Sequence, residues 1–150
     1  MNILLLENRG STAHYFLRWL EENGHNVLGK TRKGAFNIND ARSIWEQRIE
    51  VPVHCMIIDL NVPPDGLSDE QIREAQGGCL AGWIWLRDEV LVSEPGIRSR
   101  IIIYSAYTEL LNQNYKEECY GIMVVPKRKR NSSQIIKEHI HAIERILPLS

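Results

Sequence analysis

The sequence predicts an α/β fold built on a parallel sheet, and two observations carry the prediction. Short apolar segments alternate with stretches whose apolar residues recur at helical spacing, the pattern that sets helices against the faces of a parallel sheet. The segment Val53 to Ile58 is apolar apart from His54, as a strand covered on both faces should be, so it is expected at the centre. With 150 residues and 43% apolar content the chain can close one ordinary core, and a single domain over 1–150 is expected.

The elements follow in order. Strand one is expected at Ile3 to Leu6, followed by a helix capped by Ser11 or Thr12, with Ala13, Phe16, Leu17 and Leu20 on one face. Asn23-Gly24 ends that helix. A short second strand near Asn26 to Gly29 leads through the basic Lys30 to Lys33 stretch to a helix carrying Ile38, Ala41, Ile44 and Trp45. After strand three comes a polar stretch, 61 to 78, longer than the two to six residues usual between strand and helix, and such loops tend to be functional. Ser68 to Ala75 can form a short helix within it, ahead of a helix over Leu80 to Leu91. Strands four and five are expected at Ile101 to Tyr104 and Ile122 to Val125. Between them Leu110, Leu111 and Tyr115 mark a helix ending near Gly121. The last helix begins after Asn131-Ser132 and carries a stripe of Ile136, Ile140, Ile143 and Leu147.

Composition narrows the function classes. Lys and Arg number 18 against 19 for Asp and Glu, so the net charge of -1 gives no long-range pull toward nucleic acid or an anionic membrane. The basic run Lys127 to Arg130 reads as a solvated loop, and neither a nucleic-acid nor a membrane partner is expected. The apolar runs are strand-sized, far short of the ~20 residues of a membrane helix, and Met1 to Leu6 lacks the basic start of a signal peptide, so a cytoplasmic protein is expected. Cys55, Cys79 and Cys119 are odd in number and lack metal-site or redox spacing, which makes them reduced, mostly buried thiols. His54 is expected as a satisfied buried histidine. His139 and His141, two apart on a helix, cannot share a metal on one face. Trp19, Trp45, Trp83 and Trp85 are mostly expected in helix-to-sheet packing, but Trp83 and Trp85 are two apart and cannot share a helix face, which leaves one of them to be exposed.

Ligands of open parallel sheets bind outside the carboxyl ends of the strands. Strand one is followed there by Glu7 and Asn8, strand three by Asp59, Leu60 and Asn61, strand four by Ser105, and strand five by Pro126 and Lys127. Brought into one cleft, two carboxylates with amide or main-chain oxygens suit Mg²⁺. A hydroxyl and an ammonium suit a phosphoryl group, which leaves Asp59 as the nucleophile for an acyl phosphate.

Leu4-Leu5-Leu6-Glu7-Asn8, Ile57-Ile58-Asp59-Leu60-Asn61, Ile103-Tyr104-Ser105-Ala106 and Val124-Val125-Pro126-Lys127 together resemble the motifs of two-component response-regulator receiver domains, the CheY-like superfamily, across nearly the whole chain. Gly82 to Arg87 resembles the opening of that family's third helix. The resemblance implies a flavodoxin-like, doubly wound five-stranded sheet in the order 2-1-3-4-5 with about five helices, and makes residues 61–81 an insertion beside the acceptor. It implies Asp59 as phosphoacceptor and Glu7, Asn8, Asp59 and the Asn61 main-chain carbonyl as Mg²⁺ ligands. Ser105, Ala106 and Lys127 become the phosphate-binding and switch residues. The chain departs from the pattern at Asn8, where the family has a second acid, at Pro126, which precedes the lysine instead of following it, and at Val124, where many receivers carry an aromatic.

The function expected is a phosphorylation-dependent switch. A histidine kinase or phosphotransfer protein donates to Asp59, and output passes to a downstream protein by contact, without enzymatic turnover. Family pairing through the fourth and fifth helices adds a homodimer to the expected partners. The alternative is a pseudo-receiver, an interaction module that is not phosphorylated. A Mg²⁺-dependent phosphohydrolase or nucleotidyl-transfer fold is a third reading, for which the site offers few acids.

Overall fold

The computed structural model describes residues 1–8, 10–29 and 34–147. The basic stretch Lys30 to Lys33 and the side chains of Ser11, Thr12 and Ala13 lie outside the described residues. Five parallel strands, β1 (Asn2–Leu6), β2 (Asn26–Val27), β3 (Cys55–Ile58), β4 (Ile101–Ser105) and β5 (Met123–Pro126), form one sheet in the order β2-β1-β3-β4-β5. The order reverses at β1, and the register sets Leu6 beside Ile58 and Ile58 beside Ile103. The strand ends therefore line up at one edge of the sheet, where Asp59 N–H donates to Leu6 O at 2.8 Å and Lys127 N–H to Ser105 O at 3.0 Å.

Seven α-helices occur among the described residues: α1 (Gly10–Glu22), α2 (Ile38–Glu46), α3 (Asp69–Glu74), α4 (Ala81–Trp85), α5 (Leu91–Ser93), α6 (Thr108–Tyr115) and α7 (Ser132–Ile146). The two beyond the expected five have simple origins. One, α3, lies in the 61–81 segment, and the helix expected over Leu80 to Leu91 is split into α4 and α5 by the π-helical segment Leu86–Val90. β2 is only two residues long, and β5 starts one residue later than the apolar pattern suggests, ending on Pro126.

Alternation along the strands divides the core into two layers. Leu4, Leu6, Met56, Ile58, Ile101 and Ile103 point to the side of α2, α4 and α6. Ile3, Leu5, Cys55, Ile57, Ile102 and Val125 point to α1 and α7, whose Phe16, Leu20, Ile136, Ile140 and Ile143 complete that layer. All four residues of β3 are buried, as a central strand with both faces covered requires.

Trp83 and Trp85 are both fully buried, so the expectation that one is exposed fails. The reason is the 61–81 segment. Val62, Ala75 and Leu80 join the core cluster of the two indoles, so a helix face that would meet water is covered by a strap. Ser68 and Gln71 form a reciprocal capping box at the start of α3. Gln71 Nε2 donates to Asp88 Oδ2 at 2.9 Å, Arg87 Nη2 to Glu74 Oε2 at 2.8 Å, and Arg42 Nη2 to Gly66 O at 2.9 Å. These bonds fasten the strap to α2 and the π-helical segment.

Candidate functional site

The site grows from four strand ends. β1 delivers Glu7, whose N–H donates to Ala35 O at 3.0 Å, and β3 delivers Asp59 beside it. Burial leaves these two acids only 3% and 4% exposed, which is costly for carboxylates unless they are paired. β5 supplies the partner. Lys127 Nζ donates to Glu7 Oε2 at 2.7 Å and to Asp59 Oδ2 at 3.1 Å, bridging the two acids across 120 and 68 residues of sequence. The ladder bond from Lys127 N to Ser105 O fixes the root of that side chain, so Pro126 ahead of the lysine does not keep the ammonium from the acids.

Ser105, the last residue of β4, is fully buried, and its Oγ accepts from Tyr107 N–H at 3.2 Å. That bond occupies a lone pair and leaves the hydroxyl proton available to another oxygen. Ala106 is exposed in the turn that follows. Asn8 is exposed beside Glu7, and Asn61 is half-buried in the turn after β3. Among the described residues, direct side-chain contacts at this edge join Glu7, Asp59 and Lys127.

The floor is set by α4. Gly82 N–H donates to Leu60 O at 3.0 Å, and a Cβ on Gly82 would collide with the Asp59 carbonyl oxygen. Glycine here lets the helix approach the end of β3 directly. The 61–81 segment carries four acids. Asp65, Asp69 and Glu70 are exposed, and Glu74 pairs with Arg87.

The donor set decides what cation fits. Glu7 and Asp59 carboxylates, the Asn8 amide oxygen and the Asn61 main-chain carbonyl are hard oxygen donors, and Mg²⁺ is commonly held by one or two carboxylates while keeping several waters. Among the described residues no group of three or more His, Cys, Asp or Glu side chains can hold a metal ion, which argues against a dedicated all-protein cage.

Two features were not anticipated from sequence. Lys127 Nζ lies 5.6 Å from the Tyr104 ring centroid, and the Tyr107 amide orients the Ser105 hydroxyl. The signal for the first was an aromatic immediately before Ser105, whose side chain alternation sends to the opposite layer. The second is a main-chain group, which sequence does not reveal.

No protein-family model and no curated protein matches the sequence. Solved structures do. A sensor protein from Polaromonas sp. JS666 matches at 18% identity and TM-score 0.61, over 97% of this chain and 98% of that one. The non-phosphorylated HemR receiver domain from Leptospira biflexa matches at 14% and 0.64, over 99% and 98%. A response regulator receiver domain protein from Clostridium thermocellum matches at 18% and 0.62, over 96% and 94%. The chain therefore has the flavodoxin-like, CheY-like fold of response-regulator receiver domains, in the strand order that the sequence resemblance implied.

Proposed function

We propose that the protein is a receiver-type signalling switch in which Asp59 accepts a phosphoryl group. The observation that carries the reading is the Asp59 carboxylate at the end of the central strand, buried, with the Lys127 ammonium 3.1 Å from its Oδ2. An Asp59 oxygen attacks phosphorus of a phosphohistidine or a small acyl phosphate, the bond from phosphorus to the leaving nitrogen or oxygen breaks, and an aspartyl phosphate results. Lys127 is placed to follow the negative charge from the carboxylates onto a phosphoryl oxygen. Ser105, its Oγ already accepting from Tyr107, has its proton free for another phosphoryl oxygen. Glu7, Asn8, Asp59 and the Asn61 carbonyl would hold Mg²⁺, which supplies charge neutralisation on the transferring oxygens when bound. Asn8 in place of an acid removes one negative charge from that set and weakens the affinity. Ala106 leaves the approach beside Ser105 open.

In this reading a histidine kinase or phosphotransfer protein is the donor, and output passes to a downstream protein, or to a second copy of the chain, by surface contact in the cytoplasm. No helix among the described residues is long and apolar enough to cross a membrane. A second reading, a pseudo-receiver that binds partners without being phosphorylated, is favoured by one observation. Lys127 already lies 2.7 Å from Glu7, an internal cation where the divalent one would sit. Incubation with acetyl phosphate and Mg²⁺ separates them. The switch predicts acid-stable, base-labile label on the parent protein and none on Asp59→Asn. Label that survives Asp59→Asn overturns the assignment, and no label on the parent selects the pseudo-receiver.

A further inference from the structure

We propose that Tyr104 couples the Lys127 ammonium to the amino end of α7, so that movement of this ammonium at the acceptor site is read out on the α1–α7 layer. The inference deepens the receiver reading and rests on it for the event that displaces the ammonium.

The strand alternation of β4 makes the coupling geometric. Ser105 and Ile103 face one layer and Tyr104 the other, where its ring packs edge-on to Phe16 of α1 with centroids 5.3 Å apart at 84°. Lys127 Nζ lies 5.6 Å from the centre of the same ring, within the range in which a cation is drawn to an aromatic face. The far end of the ring reaches α7. Tyr104 OH and Ser132 Oγ are 3.3 Å apart, either one able to donate.

Ser132 is buried and is the first residue of α7. The helix starts without a side-chain cap from Asn131, which sits in the left-handed region at φ 70, so Tyr104 supplies an anchor that the local sequence does not. Ser132 N–H is held by Lys129 O at 3.1 Å, in the turn that begins at the lysine itself. One half-buried ring thus touches the acceptor-site cation at its face and the start of a fifteen-residue helix at its tip. On the opposite layer, β5 presents aliphatic Val124, which has no polar tip to carry such a link. When Lys127 turns toward a phosphoryl oxygen it leaves the ring face, and the ring and its bond to Ser132 readjust together.

The test uses the unmodified full chain. Amide exchange across residues 133–136 is compared in the parent, Lys127→Met, Tyr104→Phe and the double variant. The coupling predicts that Lys127→Met changes these rates by roughly threefold or more in the parent, the lower range for coupled neighbours, and leaves them unchanged when Tyr104→Phe has removed the hydroxyl. Equal effects in both backgrounds overturn it. A second measurement needs no change at Lys127, whose removal could unfold the site. The ring predicts an upfield shift of the Lys127 ε-proton resonances that persists in Tyr104→Phe and disappears in Tyr104→Leu, whereas a shift insensitive to Tyr104→Leu overturns the proposal. Failure of Asp59 to take label bears on the receiver reading alone, since both measurements are made without phosphorylation.

Discussion

Gly82 carries more of the site than its size suggests. Its missing side chain lets α4 rest on the backbone at the end of the central strand, and an added Cβ would meet the Asp59 carbonyl oxygen and, at 3.0 Å, Ile58 Cγ2. One obstacle is backbone in the central strand, which cannot swing aside as a flexible side chain would. Gly82→Ala should therefore destabilise the fold by about 1–3 kcal/mol, the usual cost of overpacking, despite the better helix propensity of alanine. Urea unfolding of the variant checks this, and an unchanged midpoint would show that the helix can lift away at no cost. The same residue bears on function, because a lifted helix shifts Leu60 and with it Asp59. Labelling of Asp59 in Gly82→Ala should fall along with stability.

At the scale of elements, the 61–81 segment acts as a strap. A six-residue helix is too short to persist alone, so α3 holds its form through its capping box and its attachments to Arg87, Asp88 and Arg42. These are partly exposed polar bonds, each worth at most about 1 kcal/mol. Arg87→Ala removes the pairs to Glu74 and Asp88 and should speed amide exchange within α3 while lowering the overall unfolding midpoint only slightly. A drop as large as that from truncating a buried tryptophan would mean that α3 unfolds only together with the core.

The strap also marks where sequence and structure part. A short helix is expected over Ser68 to Ala75, and the structure has α3 there, with a capping box at its start. What Trp83 and Trp85 do was not legible, since spacing tells which residues share a helix face but not that a distant segment covers the second face. The π-helical turn was hidden for a similar reason. It sets Leu86 and Val90 in the core and brings Arg87, Asp88 and Glu89 to meet the strap and Arg42, a tertiary arrangement without local signature.

Across the whole molecule, the strand-helix alternation and the polar residues at the strand ends were readable because both follow from local chemistry, and the parallel sheet converts them into one edge. Glu7, Asp59 and Lys127 meet there, whereas the bridging pattern among them depends on side-chain reach that only the structure supplies. Two histidines elsewhere make stability depend on pH. Burial, followed by the nearby N-terminal ammonium, lowers the pKa of His25, with His141 lowering it further and Glu144 opposing. His54 is lowered by burial, then by the N-terminal ammonium and Arg100, and its Nδ1 accepts from Asn2 N–H at 2.8 Å, a bond available only to the neutral ring. Both folded values lie below the unfolded value of about 6.5. Between the folded and unfolded values the unfolded chain holds more protons than the folded one, so stability rises with pH across that window. The contribution is fully present above about pH 6.5 and is lost as pH falls from there through the folded values. Thermal unfolding should thus be level above about pH 7 and decline as pH falls below about 6.5. His54→Gln, whose side-chain oxygen can accept from Asn2 N–H without titrating, should flatten part of the decline. A midpoint that holds steady through this window in the parent protein would show that both histidines charge freely in the folded state.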